Sequence, residues 1–331
     1  SMKRLTFVLP LKDRPYYTKI WLQHNIRSEY EYLVADGSAG DENEALFREL
    51  GLPNVTYKRF PQDASIGHFV EKMTQAFGQV QTEYAMTCDN DDFINFRGIQ
   101  TCLDALERNP DAICAGGPIY GIQQVSASPL PPRYGMPLRL PEASALHGKT
   151  GFDALTQLFG SYQYLWYSVF RTEGYRRIWT DIRQLGISNV YLVEILQAEL
   201  ALCFGNYIHV PTNHYIRLEN PVTSSARELA PREERHTRKI HFDDDYRNQV
   251  IRMSEHVARK AGVSLDQLLD EFTNYFIAGN APPRDSFGSR MLGRLVRLHE
   301  IIPRRLHISF SIESAIGFIN GWGTIRGRLG I

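Results

Sequence analysis

The stretch Tyr84-Ala85-Met86-Thr87-Cys88-Asp89-Asn90-Asp91-Asp92-Phe93 joins an apolar strand to an acidic cluster. In an extended chain, side chains two residues apart point to the same face, so Asp89 and Asp91 can face one divalent ion while Asn90 points elsewhere. Carboxylate oxygens are the ligands that hard cations such as Mg²⁺ and Mn²⁺ prefer. A solvated turn is the alternative, because Asp and Asn are common turn residues.

The segments on both sides of this stretch alternate between short apolar strands and amphipathic helices. Apolar residues at helical spacing predict helices from Ile66 to Phe77, capped by Asp63 or Ser65, and from Ile99 to Leu106. This alternation is typical of a largely parallel sheet with helices on both faces. Ligands of such sheets bind beyond the carboxyl ends of the strands, which is where the acidic cluster falls. The other predicted strands are Leu5–Leu9, Tyr30–Ala35, Val55–Phe60 and Ala112–Ala115.

Three motifs in chain order resemble those of a known family. They are Pro10-Leu11-Lys12-Asp13-Arg14-Pro15, Ala35-Asp36-Gly37-Ser38 and Asp89-Asn90-Asp91-Asp92. Together they resemble the GT-A fold of nucleotide-sugar glycosyltransferases, and most closely the family 2-like bacterial enzymes that build surface polysaccharide and lipopolysaccharide. The resemblance covers about residues 2–220. It implies an α/β, Rossmann-like GT-A fold in which helices flank a mostly parallel sheet.

The resemblance also implies a donor site near the first two motifs. The turn that contains Pro10, Lys12 and Arg14 would hold the nucleoside together with Asp36, whose ionised carboxylate can accept a hydrogen bond from the base or ribose. A plain Asp-Gly turn is the alternative for Asp36. Lys72, on the helix before the acidic cluster, would face the diphosphate, and the alternative is a solvated helix lysine.

A divalent metal, Mn²⁺ or Mg²⁺, is the cofactor that the resemblance implies. Asp91 is the first expected metal ligand. Asp89 is the second, and its alternative role is a contact with the ribose or sugar of the donor. Asn90 and Asp92 would contact the donor or support the ligands. The ion would stabilise negative charge on the departing nucleoside diphosphate. Some GT-A enzymes complete the metal shell with a histidine that His214 would match, although a lone histidine is often a hydrogen-bonded surface residue.

An inverting transferase also needs a general base that removes the proton of the acceptor hydroxyl. The predicted helix Ser188–Phe204 carries Glu194 near its start, where the helix dipole favours an ionised carboxylate. The family usually has a Glu-Asp pair here, and this chain has Val193-Glu194. Glu199 is the alternative base, but it falls on the apolar side of the helix and could be a buried structural carboxylate.

Two further residues are expected to contact the substrates. Trp166 would stack on an acceptor sugar, with core packing as the alternative. Arg217 would clamp the diphosphate with its planar guanidinium. Because acceptor pockets are built on variable loops, the Pro-rich loop from Gln123 to Pro141 is expected to help choose the acceptor.

The composition is that of an ordinary enzyme. Lys plus Arg and Asp plus Glu both number 37, so no global charge attracts the chain to nucleic acid. The four scattered cysteines form no Cys-x-x-Cys pair, which predicts a reducing compartment and no structural zinc. No apolar stretch is long enough to span a bilayer. We therefore expect a cytoplasmic protein.

A change in composition near residue 222 predicts two parts, a GT-A domain over 2–222 and a mainly helical extension over 223–331. In the extension, residues 246–277 are predicted to be helical, and Ser264-x-x-Gln267 is a predicted capping box ahead of Leu265. The segment from Arg284 to Arg305 contains six arginines against two acidic residues. Such a basic amphipathic segment can lie on anionic lipid at the inner face of a membrane. The alternative is that it packs on the catalytic domain or on a second subunit of a homodimer.

These expectations combine into one function. We expect a metal-dependent, inverting glycosyltransferase that moves a sugar from a nucleotide-sugar donor, UDP by default, to a hydroxyl of a glycan or lipid-linked acceptor. One alternative is a sugar nucleotidyltransferase, whose usual Gly-rich phosphate-binding motif is absent from Pro10–Pro15. The other is a non-catalytic module that binds nucleotides or glycans.

Overall fold

The computed structural model describes residues 3–125, 131–140, 143–160, 165–219, 236–278 and 309–329. The strands in these ranges are β1 Leu5–Leu11, β2 Glu31–Asp36, β3 Val55–Arg59, β4 Tyr84–Thr87, β5 Phe93–Ile94, β6 Ala112–Gly116, β7 Ile119–Ile122, β8 Leu138–Arg139, β9 Val169–Arg171, β10 Asn206–His209 and β11 Tyr215–Leu218. The α-helices are α1 Pro15–His24, α2 Glu42–Leu50, α3 Ile66–Gln79, α4 Phe96–Arg108, α5 Gly151–Gly160, α6 Thr172–Leu185, α7 Val190–Phe204, α8 His236–Phe242, α9 Asp244–Ala261, α10 Leu265–Ala278 and α11 Ile312–Leu329.

The central sheet has seven strands in the order β10-β6-β9-β4-β1-β2-β3. Neighbouring strands are parallel except that β9 runs antiparallel to β4 and β6. The largely parallel sheet predicted from the sequence is therefore confirmed. A second sheet, in the order β5-β11-β7-β8, begins with the short strand that follows the acidic cluster.

The helix before the acidic strand shows how local sequence sets an element boundary. Helix α3 begins after Ser65, whose hydroxyl accepts a hydrogen bond from the His68 backbone N–H at 3.2 Å. Such a cap satisfies one of the orphan donors at a helix start. Ser65 is therefore the cap, and Asp63, the other predicted cap, lies buried against α3 instead.

Apolar side chains cover both faces of the central sheet. One cluster packs α3, α5, α6 and α7 on the sheet, and it includes Tyr246, Val250 and Met253 of α9. A second cluster packs Trp21 of α1 and Ile99 of α4 on the other face. Helices α8, α9 and α10 thus share a core with the sheet.

The helical stretch predicted over residues 246–277 is two helices. Helix α9 ends at Gly262, which has φ of 69°, a left-handed conformation that favours glycine. Helix α10 then begins with a capping box, in which Ser264 Oγ accepts from the Gln267 backbone N–H and Gln267 Oε1 accepts from the Ser264 N–H. The segment Arg284–Arg305 lies outside the described residues. Within the described ranges, no helix is both long and apolar enough to cross a bilayer.

Candidate functional site

The acidic cluster lies in a turn at the carboxyl end of β4. The backbone N–H of Asp92 donates to the Asp89 carbonyl at 3.3 Å, so the chain is not extended here as the sequence argument assumed. The turn brings oxygens of Asp89, Asp91 and Asp92 within 4.8 Å of one another. Asn90 points away, and its amide donates to the Arg14 carbonyl at 3.3 Å and to Thr18 Oγ1 at 3.0 Å. Asp92 therefore joins the two expected ligands, while Asn90 anchors the turn to α1.

Two stacked tyrosines hold Asp89. The Tyr167 hydroxyl donates to Asp89 Oδ2 at 2.6 Å, and the Asp89 backbone N–H donates to the Tyr215 hydroxyl at 2.9 Å. Their rings are stacked with centroids 4.3 Å apart. Sequence analysis gave neither tyrosine a role at this site. Strand alternation offered one indication, because Tyr215 lies on the same face of its strand as Arg217, which was expected at the donor.

The electrostatics of the three aspartates suit a cation. Burial raises the pKa of Asp89, and the neighbouring charge of Asp91 raises it further. The same two causes, in the same order, hold the pKa of Asp92 well above its usual range. Oxygen ligands that repel one another in a partly buried turn are a donor set that a divalent ion can neutralise, so the residues present fit Mn²⁺ or Mg²⁺.

Two arginines lie next to the aspartates. Arg14 Nη2 is 2.5 Å from Asp91 Oδ2, and the Arg14 guanidinium also lies over the Tyr17 ring at 4.8 Å from its centroid. Arg217 lies over the Tyr167 ring at 5.7 Å, and its charge lowers the pKa of Asp89. The structure thus brings both predicted arginines to the acidic cluster.

His214 is not arranged as a metal ligand, which corrects the sequence prediction. Its Nδ1 accepts from the Gly117 backbone N–H at 2.9 Å, and its Nε2 lies 2.9 Å from the Tyr167 carbonyl. Burial lowers the pKa of His214 to about 4, so the ring is neutral, with its proton on Nε2. Both ring nitrogens are therefore occupied by backbone groups, and His214 holds together the loops behind the site.

The ends of β1 and β2 meet beside the predicted nucleoside site. Pro10 lies half-buried on β1, and the next residue, Leu11, is in register with Asp36 on β2. Asp36 is fully buried, and its carboxylate accepts hydrogen bonds from the Ser38 N–H at 2.8 Å and from the Tyr57 hydroxyl. Asp36 is therefore more than a simple Asp-Gly turn, because it joins two neighbouring strands.

Lys72 is buried, so the alternative of a solvated helix lysine is wrong, and its contact with the diphosphate stays a prediction. Its ammonium pairs with the Asp63 carboxylate and donates to the Leu11 carbonyl at 3.0 Å. Burial lowers the pKa of Lys72, and the charge of Asp63 raises it. The charge of Lys12 lowers the pKa of both partners. Lys72 thus braces the end of β1, with Lys12 close by.

The two carboxylates proposed as general base differ in environment. Glu194 lies half-buried in the second turn of α7, which Asn189 caps through its side-chain oxygen. Glu199 is fully buried, and neither of its carboxylate oxygens has a hydrogen-bond partner among the described residues. Burial holds the pKa of Glu199 well above its usual range. Glu199 is therefore a neutral core residue that no acceptor can reach, which leaves Glu194 as the predicted base.

Trp166 lies in an aromatic group with side chains of α3 and α6. Its ring stacks on Phe69 with centroids 6.4 Å apart and meets Trp179 edge-on at 5.6 Å. It is half-buried against both large apolar clusters. These contacts support the packing alternative, and its acceptor role remains a prediction.

Parts of the chain resemble known proteins in sequence and in fold. Residues 17–170 match the model of glycosyl transferase family 2. No curated protein sequence matches the chain. The fold is similar to that of S. aureus TarS 1-349 in complex with UDP, with a TM-score of 0.49, 13% identity and coverage of 83% of this chain and 90% of that chain. It is also similar to the mannosyltransferase PcManGT from Pyrobaculum calidifontis in complex with GDP-Man and Mn2+, with a TM-score of 0.44, 12% identity and coverage of 98% and 86%.

Proposed function

We propose that the chain is a metal-dependent, inverting glycosyltransferase of the family 2 type with a GT-A fold. The single observation that carries the proposal is the convergence of Asp89, Asp91 and Asp92 at the carboxyl end of β4, inside the part of the chain that matches the family. This edge of the sheet is where open α/β folds bind ligands. The family match also favours glycosyl transfer over the two alternative functions.

The three aspartates would hold Mn²⁺ or Mg²⁺ through their oxygens. When bound, the ion supplies Lewis-acid stabilisation of the charge on the leaving nucleoside diphosphate. Tyr167 orients Asp89 for this role through its hydrogen bond of 2.6 Å. Arg217, beside the same carboxylates, would clamp the diphosphate, because its planar fork can bind two phosphate oxygens.

The nucleoside would lie along the ends of β1 and β2. The turn that contains Pro10 and Lys12 and the network around Asp36 line this region, and Lys72 fixes the end of β1. Lys12 would then face the donor as a cation on the rim. UDP is the donor nucleotide that we propose, because it is the commonest in the family.

Glu194 would act as the general base that removes the acceptor proton as the hydroxyl attacks the anomeric carbon. A base must be accessible to that hydroxyl, and Glu194 is half-buried in the second turn of α7, whereas Glu199 is sealed in the core. Trp166 would contact the acceptor sugar with the part of its ring that remains exposed. The acceptor that we propose is a glycan or lipid-linked hydroxyl of bacterial surface polysaccharide.

The cellular arrangement follows from the same proposal. We assign residues 2–222 to the catalytic domain and residues 223–331 to the helical extension. An enzyme that uses lipid-linked acceptors would work at the inner face of the membrane, and the arginines between Arg284 and Arg305 would provide peripheral contact. Liposome flotation of the full chain, with and without anionic lipid, tests this assignment.

A calorimetric titration tests the donor site. UDP, GDP, CDP and CMP are titrated into the protein with Mn²⁺ and then with EDTA. We expect one nucleotide to bind only with metal, and Asp91→Asn to abolish that binding. The matched control is Asp111→Asn, which makes the same change at the exposed start of β6, on the opposite edge of the sheet. Binding that survives both EDTA and Asp91→Asn would refute the metal site.

A second measurement separates the base from the donor site. Glu194→Gln should leave the affinity for nucleotide and Mn²⁺ unchanged, because the residue acts on the acceptor. Hydrolysis or transfer of the matching nucleotide sugar should fall by about 10²- to 10⁴-fold. Glu173→Gln, on the exposed face of α6, is the control that should leave the rate unchanged. A variant at Glu194 with full turnover would show that another group removes the proton.

A further inference from the structure

The guanidinium of Arg14 lies inside the acidic cluster rather than on its rim. Its Nη2 contacts Asp91 Oδ2 at 2.5 Å, and only 12% of the Arg14 side chain and 11% of the Asp91 side chain are exposed. Arg14 Nε is buried and makes no hydrogen bond within the described part of the chain. A cation therefore already holds the carboxylate that is the first expected metal ligand, and it has donor capacity to spare.

The backbone shows that this contact is built into the turn. Asp13 and Arg14 have φ of 56° and 61°, a left-handed conformation that non-glycine residues rarely adopt. Three side chains hold the turn in place. Ser38 Oγ accepts from the Asp13 N–H at 2.7 Å, Asn43 Nδ2 donates to the Asp13 carbonyl at 2.9 Å, and Asn90 Nδ2 donates to the Arg14 carbonyl. Strained conformations persist where the surroundings fix them in this way, and they cluster at functional sites.

One of these three side chains belongs to the acidic turn itself. Asn90 lies between Asp89 and Asp91, so the backbone of Arg14 and the carboxylate that it contacts are held by a single short segment. The Tyr17 ring lies below the guanidinium and provides a surface along which it can turn without losing its aromatic contact. Arg14 is therefore fixed at its backbone, while its head group is held only by the Asp91 carboxylate and the Tyr17 ring among the contacts of the described residues.

We propose that Arg14 is a resident counter-ion that holds Asp91 in the donor-free enzyme and turns to the donor's diphosphate when a divalent cation takes its place. This proposal rests on the proposed function, since it needs a nucleotide-sugar donor and a metal. Arg14 neutralises part of the acidic cluster while the site is empty of substrate. After the exchange, its fork can bind phosphate oxygens, for which a guanidinium is well shaped.

This arrangement makes the cation and the diphosphate bind cooperatively. A cation alone must displace Arg14 from Asp91 and leave the guanidinium without an acceptor. A cation that arrives with a diphosphate gives Arg14 a new partner, so each ligand strengthens the binding of the other by the same factor. Loss of the positive charge at position 14 should therefore strengthen the binding of metal alone and weaken the cooperation. A simple phosphate-binding arginine would produce only the second effect.

The test uses the full chain and three variants. Arg14→Gln removes the charge, and Arg14→Lys keeps it without the planar fork. Arg108→Gln is the charge-matched control, because it is exposed at the far end of α4, about 20 Å along the helix from the end next to the site. Electron paramagnetic resonance of free Mn²⁺ measures the affinity for the metal alone. The same titration is then repeated with saturating UDP or GDP, whichever binds the unmodified protein.

We expect Arg14→Gln to bind Mn²⁺ alone about tenfold more tightly than the unmodified protein, a change of about 1.4 kcal/mol. The factor by which nucleotide improves Mn²⁺ binding should fall about tenfold in the same variant. Arg14→Lys should retain the weak binding of metal alone, and Arg108→Gln should behave as the unmodified protein. Circular dichroism and thermal unfolding confirm that each variant is folded.

Two results would overturn the counter-ion proposal alone. One is an Arg14→Gln variant that binds Mn²⁺ alone no more tightly than the unmodified protein, and the other is an undiminished nucleotide effect in that variant. Absence of Mn²⁺ binding in every protein, even with each nucleotide present, would overturn the proposed function as well. If Arg14→Gln fails to fold, Arg14→Lys decides, because a preserved charge that still gave tighter binding of metal alone would contradict the exchange.

Discussion

The buried carboxyl of Glu199 should make the free energy of unfolding depend on pH. It lies on α7 with no exposed surface, and in the part of the chain that the structure describes both of its carboxylate oxygens lack hydrogen-bond partners. We expect Glu199→Gln, which removes the titration and keeps the shape, to make unfolding less dependent on pH. Glu199→Met, which also removes the unpaired polar atoms, should stabilise the protein by about 1–3 kcal/mol near neutral pH.

The raised pKa of the Glu199 carboxyl determines whether stability rises or falls with pH. In the unfolded chain, Glu199 loses its proton near the ordinary pKa of glutamate, whereas burial keeps it protonated in the folded protein. The stability from the neutral carboxyl is thus fully present below the ordinary pKa and is lost as pH rises toward the raised pKa. Within that window, the unmodified protein should lose about 1.4 kcal/mol per pH unit relative to Glu199→Gln.

Urea unfolding at pH 5, 6, 7 and 8, followed by tryptophan fluorescence, measures this difference. Trp166 and Trp179 lie in or against the same apolar cluster as α7, so their emission reports on its unfolding. Other titrating groups, such as Asp92 and His214, cancel when the variant is compared with the unmodified protein. Glu255→Gln, on the exposed face of α9, is the control. Parallel pH profiles of Glu199→Gln and the unmodified protein would refute the reasoning.

Three further predictions concern other parts of the molecule. Tyr167→Phe removes the hydrogen bond that lowers the pKa of Asp89, so the affinity for Mn²⁺ should fall most at low pH and recover as pH rises. A loss of affinity that does not depend on pH would contradict this cause. Gly98→Ala should destabilise the protein by about 1–3 kcal/mol in urea unfolding, because the added Cβ would collide with the Asn213 carbonyl. Gly78→Ala on α3 places its Cβ in open space and should stabilise the protein by about 0.5–1 kcal/mol. Equal effects of the two substitutions would contradict this reasoning. Lys72→Met should cost about 3–5 kcal/mol in the same assay, because it leaves Asp63 buried without its partner. Adding Asp63→Leu should recover most of this loss, and a double variant as unstable as Lys72→Met would refute the argument.

The fold was predictable where the pattern of apolar residues is local. Strands β1, β2, β4 and β6 are buried runs between helices, and such runs stand out against amphipathic helical spacing. Helix starts were predictable because a capping side chain lies next to the backbone groups that it satisfies, as at Ser65 and Asn189. The capping box at Ser264 was likewise predicted and is confirmed, but the end of α9 at Gly262 was not, since an isolated glycine inside a helical pattern does not by itself end a helix.

The site was only partly predictable, because its decisive contacts join distant parts of the chain. The acidic cluster is local and was found, but Arg14 meets Asp91 across 77 positions and Asp89 meets Tyr215 across 126. His214 is an example of a predicted ligand whose contacts the sequence does not reveal. A histidine in a sequence does not reveal which groups its two nitrogens contact, and here both contact backbone.

The C-terminal helix α11 shows why the rest could not be predicted. Its glycines at 317, 321, 323 and 327 weaken the intrinsic helical preference, so the sequence gives little indication of a helix there. Tertiary contacts replace that preference. Ile312 and Ile319 pack in one cluster with Phe93, the residue directly after the acidic turn.

A chain of asparagines completes the connection between α11 and the site. Asn95 Nδ2 lies 2.8 Å from Asn320 Oδ1 on α11 and 3.0 Å from Asn213 Oδ1, next to His214. Asn95 directly precedes α4, and its backbone N–H donates to the His214 carbonyl at 3.0 Å. The side-chain amide of Asn95 therefore connects three segments. These are the segment after the acidic turn, the loop before the strand that carries Tyr215, and helix α11. Because that amide joins positions 225 apart, the support of the acidic turn is a property of the folded chain that no local pattern contains.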